Sequence, residues 1–249
     1  MPTLPKVGRP LAGSRHRTPR WVRVAVTESL VLVLVLVTFT RLRAAVGTDV
    51  AAATQNAHAL QSVEHLLHLD IELTANRWLA GHQAALTPAV VLYRTYYAVL
   101  LGVLLWVFLR HLDVYRHVRR TFVAMAGLAL LVYWLVPVSP PRFAEAGIVD
   151  IVAEHDLVGG HTFREANNLS AMPSLHVGWS ALAAYAVWRA LRAGRPQGAL
   201  LAWALPMVMV ADVLATGNHY VLDVFGGAVL LLASIPIATV WGRLARSRD

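Results

Sequence analysis

Apolar positions along this 249-residue chain gather into six long blocks separated by polar stretches. They surround "SLVLVLVLVTFT", "VVLYRTYYAVLLGVLLWVFL", "TFVAMAGLALLVYWLV", "SALAAYAVWRAL", "ALLAWALPMVMVADVL" and "VFGGAVLLLASIPIATVW". Allowing for flanks, they predict transmembrane helices over about 22–40, 87–109, 120–137, 174–192, 198–215 and 221–241. Each approaches the roughly 20 residues that cross a hydrocarbon core. The first block is not a cleaved signal peptide, because its apolar run is too long and "RLR" follows at once. The expected fold is all-α: an integral membrane bundle of six transmembrane helices.

Two polar connections are long. Within 41–86, Leu60, Val63, Leu67, Ile71, Ala75 and Trp78 recur at helical spacing, which predicts an amphipathic helix along the membrane interface over about 50–80. Its other face carries Glu64, His68 and Glu72 at i, i+4 and i+8, open to reading as a solvated face with local ion pairs or as a metal-ligating row. The second connection, about 138–173, opens with "PVSPPRF", whose prolines end the third helix, and closes with "NNLSAMPSLHVGW" as the fourth begins. Connections of this length are more often functional than decorative.

Composition agrees: 57% of residues are hydrophobic and only 14% charged, too apolar for a soluble domain. The formal charge of +8 would suit a nucleic-acid partner, but its distribution excludes that use. Sixteen cations, from Lys6 and Arg9 at one end to Arg246 and Arg248 at the other, fall on one side of a six-span arrangement. The other side receives nine acids, including Asp49, Asp70, Glu145, Asp150, Asp156 and Glu165, against five arginines. The positive-inside rule then places both termini in the cytoplasm. The expected organisation is a basic cytoplasmic tail at 1–21, a membrane catalytic domain at 22–242 and a second tail at 243–249. Cysteine is absent, which excludes disulfides and thiolate metal sites. Arginine outnumbers lysine 21 to 1, a composition expected of a GC-rich bacterial genome and so of an inner membrane.

Topology now converges the polar residues. Arg142 follows the outer end of the third helix, His176 lies in the first turn of the fourth, and His219 opens the sixth with Asp223 one turn deeper. At i and i+4, Asp223 shares a helix face with His219. Its carboxylate can take the Nδ1 proton and leave Nε2 as a nucleophile, which is triad logic without a serine. His176 can protonate a leaving oxygen. Arg142 can bind phosphate oxygens, and Ser174 with the free N–H groups opening the fourth helix adds anion contacts. The set suits phosphoryl transfer through a phosphohistidine, with no metal or cofactor required. Arg94, inside the second helix, is open to reading as a phosphate ligand or as a side chain snorkelling to the surface. Asn218 and Tyr97 are further candidates for phosphate contacts. Gly226 and Gly227 are open between close packing and catalysis.

At these residues the sequence resembles the type 2 phosphatidic acid phosphatase superfamily, most closely its branch of inositol phosphorylceramide synthases. "PVSPPRF", "AMPSLHVGWS" and "TGNHYVLDVFGG" are similar to that branch's three motifs, and the resemblance extends over roughly 60–230. It implies a six-helix membrane fold with His219 as nucleophile, Asp223 as its activator and His176 as the acid. The chain departs from the phosphatase branch where Leu135 and Phe143 replace a lysine and a proline, Leu175 replaces a glycine, and Asp212 and Val213 replace Ser-Arg. Two phosphate-binding cations are therefore missing, which favours a singly charged phosphodiester over a dianionic monoester and head-group transfer over hydrolysis. Hydrolysis of a lipid phosphate or polyprenyl phosphate is the alternative. A non-catalytic lipid-binding protein or transporter is the alternative of another class.

Overall fold

The computed structural model describes residues 20–46, 49–155 and 169–247. The N-terminal tail up to residue 19, Asp156 and Glu165 of the long connection, and Arg248 lie outside them. The chain divides into two compact units, Met1–Thr38 and Phe39–Asp249. The first contributes the start of α1 (Arg20–Ala45), whose apolar side chains such as Leu30 and Leu34 are exposed. From Phe39 onward that helix belongs to the second unit.

The second unit continues through α2 (Val50–Leu66), α3 (Glu72–Ala80), α4 (Gln83–Arg110) and α5 (Leu112–Leu135). Two single turns follow, α6 (Pro141–Ala144) and α7 (Ile151–Glu154), and then α8 (Leu175–Leu191), α9 (Pro196–Leu201), α10 (Ala204–Ala215) and α11 (Val221–Arg246). There is no strand among the described residues; Val138 and Ser170 pair in an isolated bridge that closes the base of the long connection. The all-α class is as expected.

Among the described residues five helical segments are long and apolar enough to cross a membrane: Trp21–Ala45, Gln83–Arg110, Leu112–Leu135, Pro196–Ala215 and Val221–Arg246. Leu105, Trp134, Met207 and Leu232 project from them into the surroundings, as side chains solvated by lipid do. The chain is a multi-pass membrane protein. The block expected over 174–192 forms α8, which has only 17 residues. It packs against α4, α5, α10 and α11, and every residue from Val177 to Ala186 is buried. Its small residues (Gly178, Ala181, Ala183, Ala184) let neighbouring backbones approach closely. Trp179 anchors the centre, with its ring against Phe39, Tyr97 and Phe122.

The crossing of α8 and α11 is closest at Gly227, where an added Cβ would lie 2.5 Å from the carbonyl oxygen of Ser174. Packing is thus sufficient reason for this glycine.

The amphipathic stretch is two helices rather than one. The chain turns between Leu66 and Glu72, where His68 adopts a left-handed backbone (φ 56°). Glu64, His68 and Glu72 therefore do not form one helical row, and no group of three His, Asp or Glu side chains able to hold a metal ion occurs among the described residues. Val63, Leu67, Ile71 and Trp78 are exposed, whereas Glu64, Glu72 and Asn76 are buried. Of the predicted stripe Leu60 is buried and Ala75 half-buried, so only its part from Val63 to Trp78 reaches the surface, while the polar residues face the protein.

Burial pushes the Glu64 carboxyl up to about 8, the second effect being the Leu222 N–H that it accepts, which acts in the opposite direction. A carboxyl with a folded-state value above its unfolded one stabilises the fold most fully below pH of about 4, and loses that contribution as the pH rises through about 8. Thermal unfolding in detergent should accordingly show the wild type losing stability between about pH 4 and 8, and Glu64→Gln losing distinctly less; parallel curves would refute the assignment. Gly227→Ala should cost about 1–3 kcal/mol by the same measurement, because the α8–α11 crossing has no room for a methyl group.

Candidate active site

The site is built where the N-termini of α8 and α11 meet. Ser174 caps α8, its hydroxyl accepting the N–H of Val177 at 3.4 Å, and this sets His176 in the first turn. Before α11 the chain reverses at Gly217, whose φ of +71° and close approach to Ile148 both require glycine. The N–H groups of Asn218 and His219 then both donate to the carbonyl of Val213, turning the histidine back over α10. Asp223 is the third residue of α11, and its Oδ2 accepts the N–H of Tyr220 at 3.0 Å, the return half of a capping box.

These local structures line up a relay. Oδ2 of Asp223 lies 3.3 Å from Nδ1 of His219, and Nε2 of His219 lies 3.3 Å from Nδ1 of His176. With the His219 Nδ1 proton directed at the carboxylate, Nε2 carries the lone pair. Asp223 is fully buried and His219 nearly so. The His176 ring is held between Tyr93 and Tyr96, each with its centroid 4.2 Å away. The two helix ends are locked to each other, since the Ser174 N–H donates to the Asp223 carbonyl at 3.0 Å.

Arg142 arrives from α6. Its backbone N–H donates to the Gly217 carbonyl at 3.0 Å, its Nε sits 3.2 Å from Asp150, and its Nη1 donates to the side-chain oxygen of Asn218. Asn218 is oriented by donating its own amide to the carbonyl and hydroxyl oxygens of Thr216, and it also accepts the Tyr93 hydroxyl at 3.0 Å. The pocket wall contains His176, His219, Arg142, Asn218, Tyr93, Tyr96, Tyr133, Leu175 and a further cation, Arg43.

The other expected site residues stand elsewhere. Ser174 is wholly buried beneath the wall, serving as the helix cap. Tyr97 packs on Tyr96 and against the edge of Trp179. Arg94 donates to the carbonyl of Val152 at 3.2 Å and does not line the pocket.

Arg43 is the residue that sequence reasoning missed. It lies near the end of α1, donates from Nε to the Ser170 hydroxyl at 2.9 Å, and rests 5.9 Å from the Tyr133 ring centre. The one available signal was "RLR", read above only as the end of a span. Arg41 is exposed and Arg43 half-buried, because residues two apart on a helix face opposite ways. Among the described residues no carboxylate pairs with Arg43, whereas Arg142 is offset by Asp150.

A family model described as the PAP2 superfamily matches residues 58–237. The chain belongs to the PAP2 superfamily. The match to these type 2 phosphatidic acid phosphatases runs from α2 into α11, so it includes both histidines and Arg142 but begins after Arg43. No curated protein and no solved structure matches the chain. PAP2 membership supports a function of the lipid phosphatase or phosphotransferase type.

A guanidinium in the pocket wall that no carboxylate among the described residues pairs with should bind anions. Arg43→Gln should weaken competition by inorganic phosphate about 10- to 100-fold, the loss expected for a charge-assisted hydrogen bond of about 1.5–3 kcal/mol. Arg41→Gln, on the exposed face, should leave it unaltered.

Proposed function

We propose that the protein transfers a phosphate-linked head group between membrane lipids through a phosphohistidine at His219. The observation that carries this reading is the relay Asp223–His219–His176, whose two histidines line one pocket with two guanidiniums. The His219 Nε2 lone pair attacks the phosphorus of a lipid phosphate ester, a P–N bond forms, and the P–O bond to the leaving alcohol breaks. Protonated His176 donates its proton to that leaving oxygen. The Asp223 carboxylate stabilises the positive ring of phosphorylated His219. An acceptor hydroxyl then attacks phosphorus, gives its proton to His176 and restores His219.

Charge favours a particular donor. Among the described residues Asp150 balances Arg142, which leaves Arg43 as the net cation beside the dyad. One net positive charge suits a phosphodiester monoanion, such as an inositol phospholipid, better than a phosphomonoester dianion. A lipid alcohol as acceptor yields transfer, and water yields hydrolysis. Asn218, whose amide is held by Thr216 and whose oxygen accepts from Arg142 and Tyr93, orients that guanidinium beside the histidines.

In this reading α8 is the sixth span. The basic ends of the helices lie in the cytoplasm with both termini, and the pocket opens on the extracytoplasmic face of a bacterial inner membrane. Acyl chains enter between helices while the polar head meets the histidines.

Two substitutions and a product analysis test the mechanism. His219→Ala should abolish turnover of a phospholipid panel in folded protein, and retained activity would refute the nucleophile. His176→Ala should slow turnover about 10²- to 10⁴-fold, the usual worth of a positioned acid. Mass spectrometry should find a new lipid carrying the donor's head group; release of inorganic phosphate alone would establish hydrolysis instead.

A further inference from the structure

Two buried carboxyls outside the pocket end on the helix that bears the nucleophile's partner. Glu64, from α2, places Oε1 2.6 Å from the N–H of Leu222. Glu72, the first residue of α3, places Oε1 2.8 Å from the N–H of Val221. These are the first two residues of α11, whose N–H groups have no partner within the helix. Asp223 closes the preceding N–H, that of Tyr220. Three successive backbone donors are thus held by three carboxyl groups, two of them about 150 residues distant in sequence.

We propose that Glu64 and Glu72 are positioning residues of the reaction, whose oxygens clamp the first turn of α11 and thereby hold His219 against Asp223 and facing His176. This rests on the reading of His219 and Asp223 as the reacting pair. The dyad spans the start of α11: His219 precedes the helix and Asp223 lies inside its first turn. A shift of that turn alters the 3.3 Å contacts on both sides of His219 at once. Misplacement by about 1 Å is enough to cost on the order of a hundredfold in rate.

The clamp works as an acceptor. Burial raises both carboxyls, Glu64 to about 8, and Oε2 of Glu64 meets no donor among the described residues. A neutral carboxyl oxygen accepts an N–H as an ionised one does. Asn76 reinforces the same region from α3: fully buried, it donates to the carbonyls of Val149 and Ala215 and accepts the Val149 N–H. Helices α2 and α3 are thereby tied to the turn that presents the histidine.

The test compares Ala, Gln and Asp at positions 64 and 72 with His219→Ala, in purified full-length protein. The probes are vesicles of phosphatidylinositol with a lipid alcohol, and vesicles of phosphatidate. Glu64→Ala and Glu72→Ala should lower kcat about tenfold or more with KM within about twofold of wild type, since neither residue lines the pocket. Glu→Gln keeps the acceptor oxygen at its original reach and should restore kcat; Glu→Asp, one methylene short, should not. Folded alanine variants with wild-type kcat, or Asp rescuing where Gln fails, would overturn the proposal. If the alanine variants do not fold, the Gln and Asp variants decide: Gln active with Asp impaired supports the clamp, and both equally active overturns it. Loss in His219→Ala beside unimpaired Glu variants removes the clamp alone. Full activity in His219→Ala removes the reaction reading and the clamp with it.

Discussion

The first turn of α11 is the point on which the site depends. A helix start presents N–H groups with no intrahelical partner, and beside lipid such groups must be met by protein. Asp223 meets one of them through Oδ2 and approaches His219 with the same oxygen, while its backbone carbonyl accepts the N–H of Ser174 at the start of α8. A single residue thereby couples the capping of one helix, the orientation of one imidazole and the placement of the helix carrying the other. Replacing its carboxylate would remove the cap and the imidazole's partner together, while its backbone carbonyl would still hold Ser174, which ties the chemistry of the site to the stability of its frame.

Around that point the protein has the polarity of a membrane structure. Glu64, Glu72 and Asn76 turn inward toward backbone donors and acceptors, and Val63, Ile71 and Trp78 turn outward. The same amphipathic pattern in water would be packed the other way round. Here it lets the short helices α2 and α3 supply buried hydrogen-bonding groups to the first turn of α11. The small residues of α8 and Gly227 of α11 then bring the two helix ends close enough for imidazole to meet imidazole.

The pocket's charge follows from pairings that the chain order does not reveal. Arg142 is the expected cation, but Asp150 partners it. Arg43 from α1 brings a further positive charge to the wall from outside the family match. Spacing could not reveal this, because Arg43 and His219 lie on elements that meet only in the folded protein.

Much of the architecture was legible in the residue order. Block length and hydropathy predicted the helices, prolines marked the end of α5, and motif order put His176, His219 and Arg142 on converging helix ends. These are properties of local composition and of the bilayer's thickness, which act on each segment separately. The chain alone also set the i, i+4 relation of His219 and Asp223. Tertiary structure decided the rest: that the outer stretch breaks near His68, that Glu64 and Glu72 cap α11 instead of forming a row, that Ser174 is spent on its own helix, and that Arg43 rather than Arg94 faces the pocket. The physical reason is common to all four. A polar side chain's partner is set by which backbone or charge it meets when the helices pack, and helical periodicity names the face of a helix but not its neighbour.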